Sequence, residues 1–309
     1  MNNIISYSLY EQKDKEFDRS GHDSFSKEKN RYWTNIPFIF ITNNLYFNDF
    51  KTKFYIHDDI TNNKLYTVLD KLSKLQNFEI EIMNKEQKGT SPSIWRFKSI
   101  WDSNIYFSRD ADSVISPKEY MCMKYFINSD YWMNNIRGIW QHNFEGTVLM
   151  AGLCGFKSSI LKKELPLPES FDDYLAFCES NCSSEWGCDQ INLIDFFIKT
   201  RSKRVISKLL DFYIQPHFDR IDRVFRNLVE KSRYYNINSL NENDFKNIDM
   251  SGFNKEFLNL TNNVTGWLGQ PIDVRGASLN KLLSLDIDIC KEVKNLLISD
   301  DILKEYYKC

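Results

Sequence analysis

What most restricts the folding of this chain is an alternation of strand-like and helix-like segments over its first 120 residues. NIISYSLY (3–10) reads as a short buried strand, KTKFYIHDD (51–59) as a second, NFEIEIMN (77–84) as a third with period-two alternation, and NIYFSR (104–109) as a fourth. Between them, residues 31–47 carry aromatic and apolar side chains at helix-compatible spacing. NNKLYTVLDKLSKL (62–75) places Leu65, Val68, Leu69, Leu72 and Leu75 on one face, and IWRFKSIWD (94–102) also reads as helical. A further helix starts by rule at SPKE, with Ser116 as N-cap, Pro117 in the first turn and Glu119 completing a capping box. Such an alternation predicts an α/β fold with a mainly parallel sheet flanked by helices.

The second half is less regular. TVLMAGLCGFK (147–157) reads as a strand entering a tight turn, CDQINLIDFFIKTRSKR (188–204) as a helix, and LLDFYIQPHFDR (209–220) as a strand ending near His217. The last residues, from Leu279, finish as helix, with DIDI (286–289) inside it. Polar stretches at 11–29 and 85–93 read as loops. The expected partition is a catalytic α/β domain over 1–225 and a mixed C-terminal extension over 226–309 that packs on it.

Function classes narrow with composition. The 309 residues carry a net charge of −2 with both signs interleaved, which offers no nucleic-acid footprint. No apolar run approaches the roughly 20 residues of a membrane span, and the N-terminus lacks a signal-peptide pattern, so a cytoplasmic location is expected. Seven scattered cysteines fit reduced thiols better than a disulfide framework.

Asp110 and Asp112 fall just past the end of the fourth strand and before the capped helix. In parallel sheets, ligands bind outside the carboxyl ends of the strands. Two carboxylates at i and i+2 there can meet one divalent cation together with the phosphate oxygens of a substrate. A D-x-D string alone is weak, and a solvated turn is its ordinary reading.

The neighbourhood WRFKSIWDSNIYFSRDADSVISPKEY resembles a family of DXD-containing glycosyltransferases of the GT-A fold, found in large DNA viruses, bacteria and some eukaryotes. In that family a W-R-F element precedes an S-R-D-x-D-S element, with a glutamate in the next helix. The resemblance extends to SYSLY (6–10), YIHDD (55–59), GLCGFK (152–157) and DQINL (189–193), and more loosely to His217 and GWLGQP (266–271). It departs at Tyr32–Asn35, which lacks the family's glycine, at NNIRGIWQH (134–142), which keeps Arg137 and His142 without the acidic partner, and at Ala151–Gly155.

The resemblance implies a GT-A-like sheet, a nucleotide-sugar donor with UDP favoured (UDP-GlcNAc or a UDP-hexose), a glycan or small hydroxyl acceptor, and Mn2+ or Mg2+. Asp112 would ligate the metal, while Asp110 would touch the donor sugar or ribose, or the metal through water. His217 would be a third ligand. Ser8 and Tyr10 would line the nucleotide, with edge packing as their alternative. Arg96 and Arg109 would face the donor or, as buried arginines, make structural ion pairs. Asp189 would serve as general base or acceptor-binding carboxylate, or simply complement a helix N-terminus. Trp186 and His142 would contact the acceptor. A D-x-D phosphohydrolase and a nucleotide- or glycan-binding protein without turnover are the competing readings.

Overall fold

The computed structural model describes residues 2–10, 31–83, 92–137, 149–164, 167–181, 188–194, 196, 208–213, 238–264 and 276–309. Eight strands form one sheet: β1 (Asn3–Leu9), β2 (Phe50–His57), β3 (Phe78–Met83), β4 (Ile105–Arg109), β5 (Met133–Arg137), β6 (Leu153–Phe156), β7 (Leu209–Tyr213) and β8 (Asn238–Asn241). Their spatial order is β3-β2-β1-β4-β6-β5-β7-β8. Every pairing is parallel except those of β6, which runs antiparallel to both β4 and β5. This is the mainly parallel mixed sheet expected of a GT-A-like, Rossmann-like fold.

Burial on both faces explains why the strands are so apolar. One face carries Tyr7, Phe54, Ile56, Phe107 and Phe212. It is covered by helices α1 (Ile36–Tyr46), α2 (Tyr66–Leu72) and α4 (Pro117–Asn128), and by the helices of the tail: α8 (Lys255–Asn263), α9 (Ala277–Leu283), α10 (Asp288–Ile298) and α11 (Asp301–Tyr307). The other face carries Tyr55, Tyr106, Met133 and Leu209. Over it lie the 3-10 segment Pro92–Lys98, helix α3 (Ser99–Asp102), α5 (Ser158–Glu164), α6 (Phe171–Asn181) and α7 (Cys188–Ile194).

The tail is bound into this frame. β8 pairs with β7, Tyr307 donates from its hydroxyl to the Trp33 carbonyl at 2.7 Å, and Tyr46 and Thr261 share a hydroxyl bond of 2.8 Å. The expected boundary at 225 lies outside the described residues, as do the polar stretches 11–29 and 85–91. Among the described residues, no helix is long and apolar enough to cross a membrane.

Two expectations need correction. The tight turn at Met150–Gly152 precedes β6 rather than following it, closed by the Leu153 amide on the Met150 carbonyl at 2.9 Å. An antiparallel strand that starts at the carboxyl edge requires that order. DIDI straddles a helix start rather than lying within a helix: Asp288 and Ile289 open α10 and Asp286 precedes it, where carboxylates suit the helix dipole. β5, whose sequence MNNIR has two adjacent asparagines, is an additional strand the pattern does not betray.

The outer strands carry a ladder of charge. Lys53 bonds Glu81 at 2.8 Å, Lys98 donates to the same carboxylate, and Lys51 pairs with Glu79. Burial alone would raise the Glu81 carboxyl, but the two lysines outweigh it and hold the group below its usual range. A depressed pKa contributes stability above the unfolded value of about 4.3, and that contribution disappears as pH falls through the lower folded value. In urea titrations, Glu81→Gln is therefore expected to lose about 1 kcal/mol at pH 7. The gap to the wild-type protein should close progressively below about pH 4.

Candidate functional site

The chain proceeds from β1 outward through β2 to β3, then returns to β4 on the other side of β1. The carboxyl ends of β1 and β4 therefore flank the point where the winding reverses, which is the usual ligand crevice of such sheets. The return path runs through Pro92–Lys98, and β1 grips it. Ser6 donates from Oγ to the Arg96 carbonyl at 2.7 Å, and Ser8 donates to the Ser93 carbonyl at 3.1 Å while accepting the Arg96 amide at 3.0 Å. Trp95 and Phe97, fully buried, anchor the same segment.

Between these aromatic anchors, Arg96 extends its guanidinium along the sheet face. Nη1 donates to the Asp110 carboxylate and, at 3.2 Å, to the Arg109 carbonyl, while Nη2 reaches Asp189 at 2.8 Å. Burial works against the charge on Arg96, but the carboxylates of Asp110 and Asp189 outweigh it and raise its pKa further. The Asp110 side chain is 44% exposed against 6% for Arg96, so Asp110 is the member of the cluster that looks outward.

Two backbone features shape Asp110. Its carbonyl accepts the Ser113 amide at 3.2 Å and the Ser113 hydroxyl at 3.1 Å, folding RDADS into a turn that buries Asp112. Behind it stands Gly152, where a Cβ would fall 2.0 Å from Asp110 Oδ2. Only glycine permits this approach.

The Met150–Gly152 turn is itself pinned from two sides. Gln190 accepts the Ala151 amide at 3.4 Å, and Asn135 on β5 accepts the Met150 amide at 2.7 Å. Asn135 in turn donates to Asp211 on β7 at 2.8 Å, and Arg137 Nε binds both Asp211 oxygens at 3.1 and 3.0 Å. The acidic partner missing near Arg137 in the sequence is thus supplied by Asp211, 74 residues away.

Of the expected site residues, Ser8, Arg96, Asp110, Asp112 and Asp189 gather at this edge, with Tyr10 half-buried just past β1. Arg109 turns to the opposite face, where it pairs with the fully buried Glu119 and donates to Ser113 at 3.2 Å and the Val114 carbonyl at 3.4 Å. Glu119 also accepts the Ser116 amide at 2.9 Å, completing the capping box of α4. Arg109 therefore ties strand, turn and helix together. His142, Trp186 and His217 lie outside the described residues, as do 199–204 and 266–271. Asn135, Asp211 and Gln190 escaped attention as individual residues. Asp211 carried such a signal, a carboxylate inside the apolar strand LLDFY that requires a partner, whereas Asn135 in the polar strand MNNIR and Gln190 on α7 carried none.

Asp189 opens α7, and its Oδ1 accepts the Gln190 amide at 2.9 Å while Oδ2 holds Arg96. Among the described residues, no three His, Cys, Asp or Glu side chains form a cluster fit to ligate a metal. The donor set fits Mn2+ or Mg2+ only in the manner where one or two carboxylates are completed by substrate oxygens and water.

No family model matches the sequence, and no curated protein matches it. Among solved structures, the chain is similar to the crystal structure of S. aureus TarS 1–349 in complex with UDP-GlcNAc. The two share 14% identity with a TM-score of 0.34 over 60% of this chain. The match spans 56% of the TarS chain, little more than half its length. Chemistry must therefore be read from the side chains themselves.

The Arg109–Glu119 pair is open to a direct test by urea denaturation. Glu119→Leu alone strands a buried guanidinium and should cost about 3–5 kcal/mol. Combining it with Arg109→Met should recover most of that loss, leaving about 1 kcal/mol from the broken cap.

Proposed function

We propose that this chain is a metal-dependent glycosyltransferase that moves a sugar from a nucleotide-diphosphate sugar, with UDP favoured, to a hydroxyl of a glycan or small acceptor. The observation that carries this reading is the Arg96 bridge between Asp110 and Asp189, placed at the β1–β4 reversal with Asp112 two residues on. A buried cation that orders two carboxylates at a ligand edge suits recognition of a polyhydroxyl donor. The outward edge of Asp110 would accept ribose or sugar hydroxyls, while Tyr10 would stand beside the nucleotide. Ser8 acts through its hold on the Arg96 backbone. Asp112, with the diphosphate oxygens, would hold Mn2+ or Mg2+, which when bound neutralises charge on the leaving diphosphate. His217 remains the proposed third ligand, and Trp186 and His142 the proposed acceptor contacts.

Asp189 is the proposed base for an inverting transfer. Each of its oxygens already accepts one hydrogen bond, so the acceptor's proton would have to reach a remaining lone pair beside Arg96 or the Gln190 amide. That engagement is the specific observation in favour of a second reading, a nucleotide- or glycan-binding protein of the same fold without turnover.

Calorimetry with UDP separates these readings. Binding should require Mn2+ or Mg2+, vanish with EDTA, and weaken about tenfold or more in Asp112→Ala, as expected when a charged contact of about 1.5–3 kcal/mol is lost. UDP affinity indifferent to both changes would refute the metal site. Hydrolysis of UDP-Glc, UDP-Gal, UDP-GlcNAc or a GDP-sugar by the wild-type protein identifies the donor. Binding of UDP without turnover of any of them identifies the second reading.

A further inference from the structure

The crossover that places Arg96 at the carboxyl edge continues to the amino edge of the sheet, where Asp102 precedes β4 and the Asn104 amide bonds the Asn2 carbonyl at 2.8 Å. There it meets the segment leading into α6 in an open groove of about 720 Å3. Its lining carries both signs of charge, Lys98 and Lys162 with Asp102, Glu169 and Asp172, together with Trp101. The length of β4 separates Asp102 at the groove from Asp110 by about 17 Å, although Lys98 on the groove lies only two residues from Arg96.

Three observations define what it can hold. First, three carboxylates and two ammonium groups nearly balance, so the rim offers no single-sign field for an anion or a metal ion and favours an uncharged ligand with many hydrogen-bonding groups. Second, the rim is rich in donors and acceptors already set in place. Lys98 is drawn to Glu81, and Lys162 donates to the Trp101 carbonyl, yet each ammonium keeps further protons to give. Burial lowers the pKa of Lys162 and Asp102 opposes that effect, so this exposed lysine has a rim carboxylate close by. Third, Trp101 is immobilised. Its Nε1 donates to the Pro168 carbonyl at 2.9 Å, and its ring packs against Phe171 at 5.7 Å and Tyr174 at 5.6 Å. A fixed indole amid acceptors and donors matches a ligand with one C–H face and a rim of hydroxyls.

We propose that this groove is a saccharide-binding site, separate from the Asp110–Asp112 edge, that holds a neutral sugar unit of a glycan. It stands independently of the transfer reaction proposed above. The C–H face of the sugar lies on Trp101, and its hydroxyls bridge the carboxylates and ammonium groups of the rim.

The test is calorimetry and saturation-transfer NMR on the full chain with maltotetraose, cellotetraose and chitotetraose, in the presence of saturating UDP and MgCl2. At least one tetrasaccharide should bind saturably. Lys162→Ala and Asp172→Ala, both at exposed positions, should each weaken that binding by about tenfold, and the pair together should abolish it. Inorganic phosphate and MnCl2 should not compete. The proposal is overturned if none of the three sugars binds, if the double variant binds as the wild type does, or if phosphate displaces the sugar.

Discussion

Arg96 is the interaction on which the rest of this edge depends. Its guanidinium joins a crossover segment, the exit of β4 and the start of α7, three stretches separated by up to 93 residues. The guanidinium itself is buried, and buried charge is tolerated only where opposite charge and hydrogen bonds surround it. The two aspartates are therefore positioned by the same requirement that keeps Arg96 folded in. That requirement extends backward to β1, because Ser6 and Ser8 fix the Arg96 backbone, and outward to Gly152, against which Asp110 rests.

The two arginines of the W-R-F and S-R-D elements divide the labour. Arg96 works on the face that carries the site, while Arg109 works on the opposite face, where Glu119 uses one carboxylate to neutralise it and to cap α4. Strand alternation dictates the split, since Asp110 and Arg109 are consecutive residues and must point apart. The consequence is that the D-x-D turn is clamped from both sides of the sheet.

Much of this was legible in the sequence because the first half is written in short-range rules. The Ser116–Glu119 box, the apolar stripe of residues 65–72 and the strands at 3–9 and 50–57 all involve neighbours a few residues apart, and each is present. Tertiary partnerships were not legible. Nothing near Asn135 or Arg137 announces Asp211, and the helix-opening position of Asp189 does not disclose that its carboxylate answers Arg96. The reversed direction of β6 was hidden for a related reason: four buried residues carry the same apolar pattern in either orientation, and only the neighbours β4 and β5 decide.

The contact between Gly152 and Asp110 also sets a rule for variation. With a Cβ at 152 only 2.0 Å from Asp110 Oδ2, any larger residue there collides with the carboxylate or forces the turn away from it. The two positions are therefore coupled: a shorter side chain at 110 frees 152, whereas a Cβ at 152 requires the Asp110 carboxylate to leave its present place beside Arg96. Loss of that glycine in a relative would mark a protein whose outward-facing carboxylate has been moved or surrendered, even where the D-x-D letters persist.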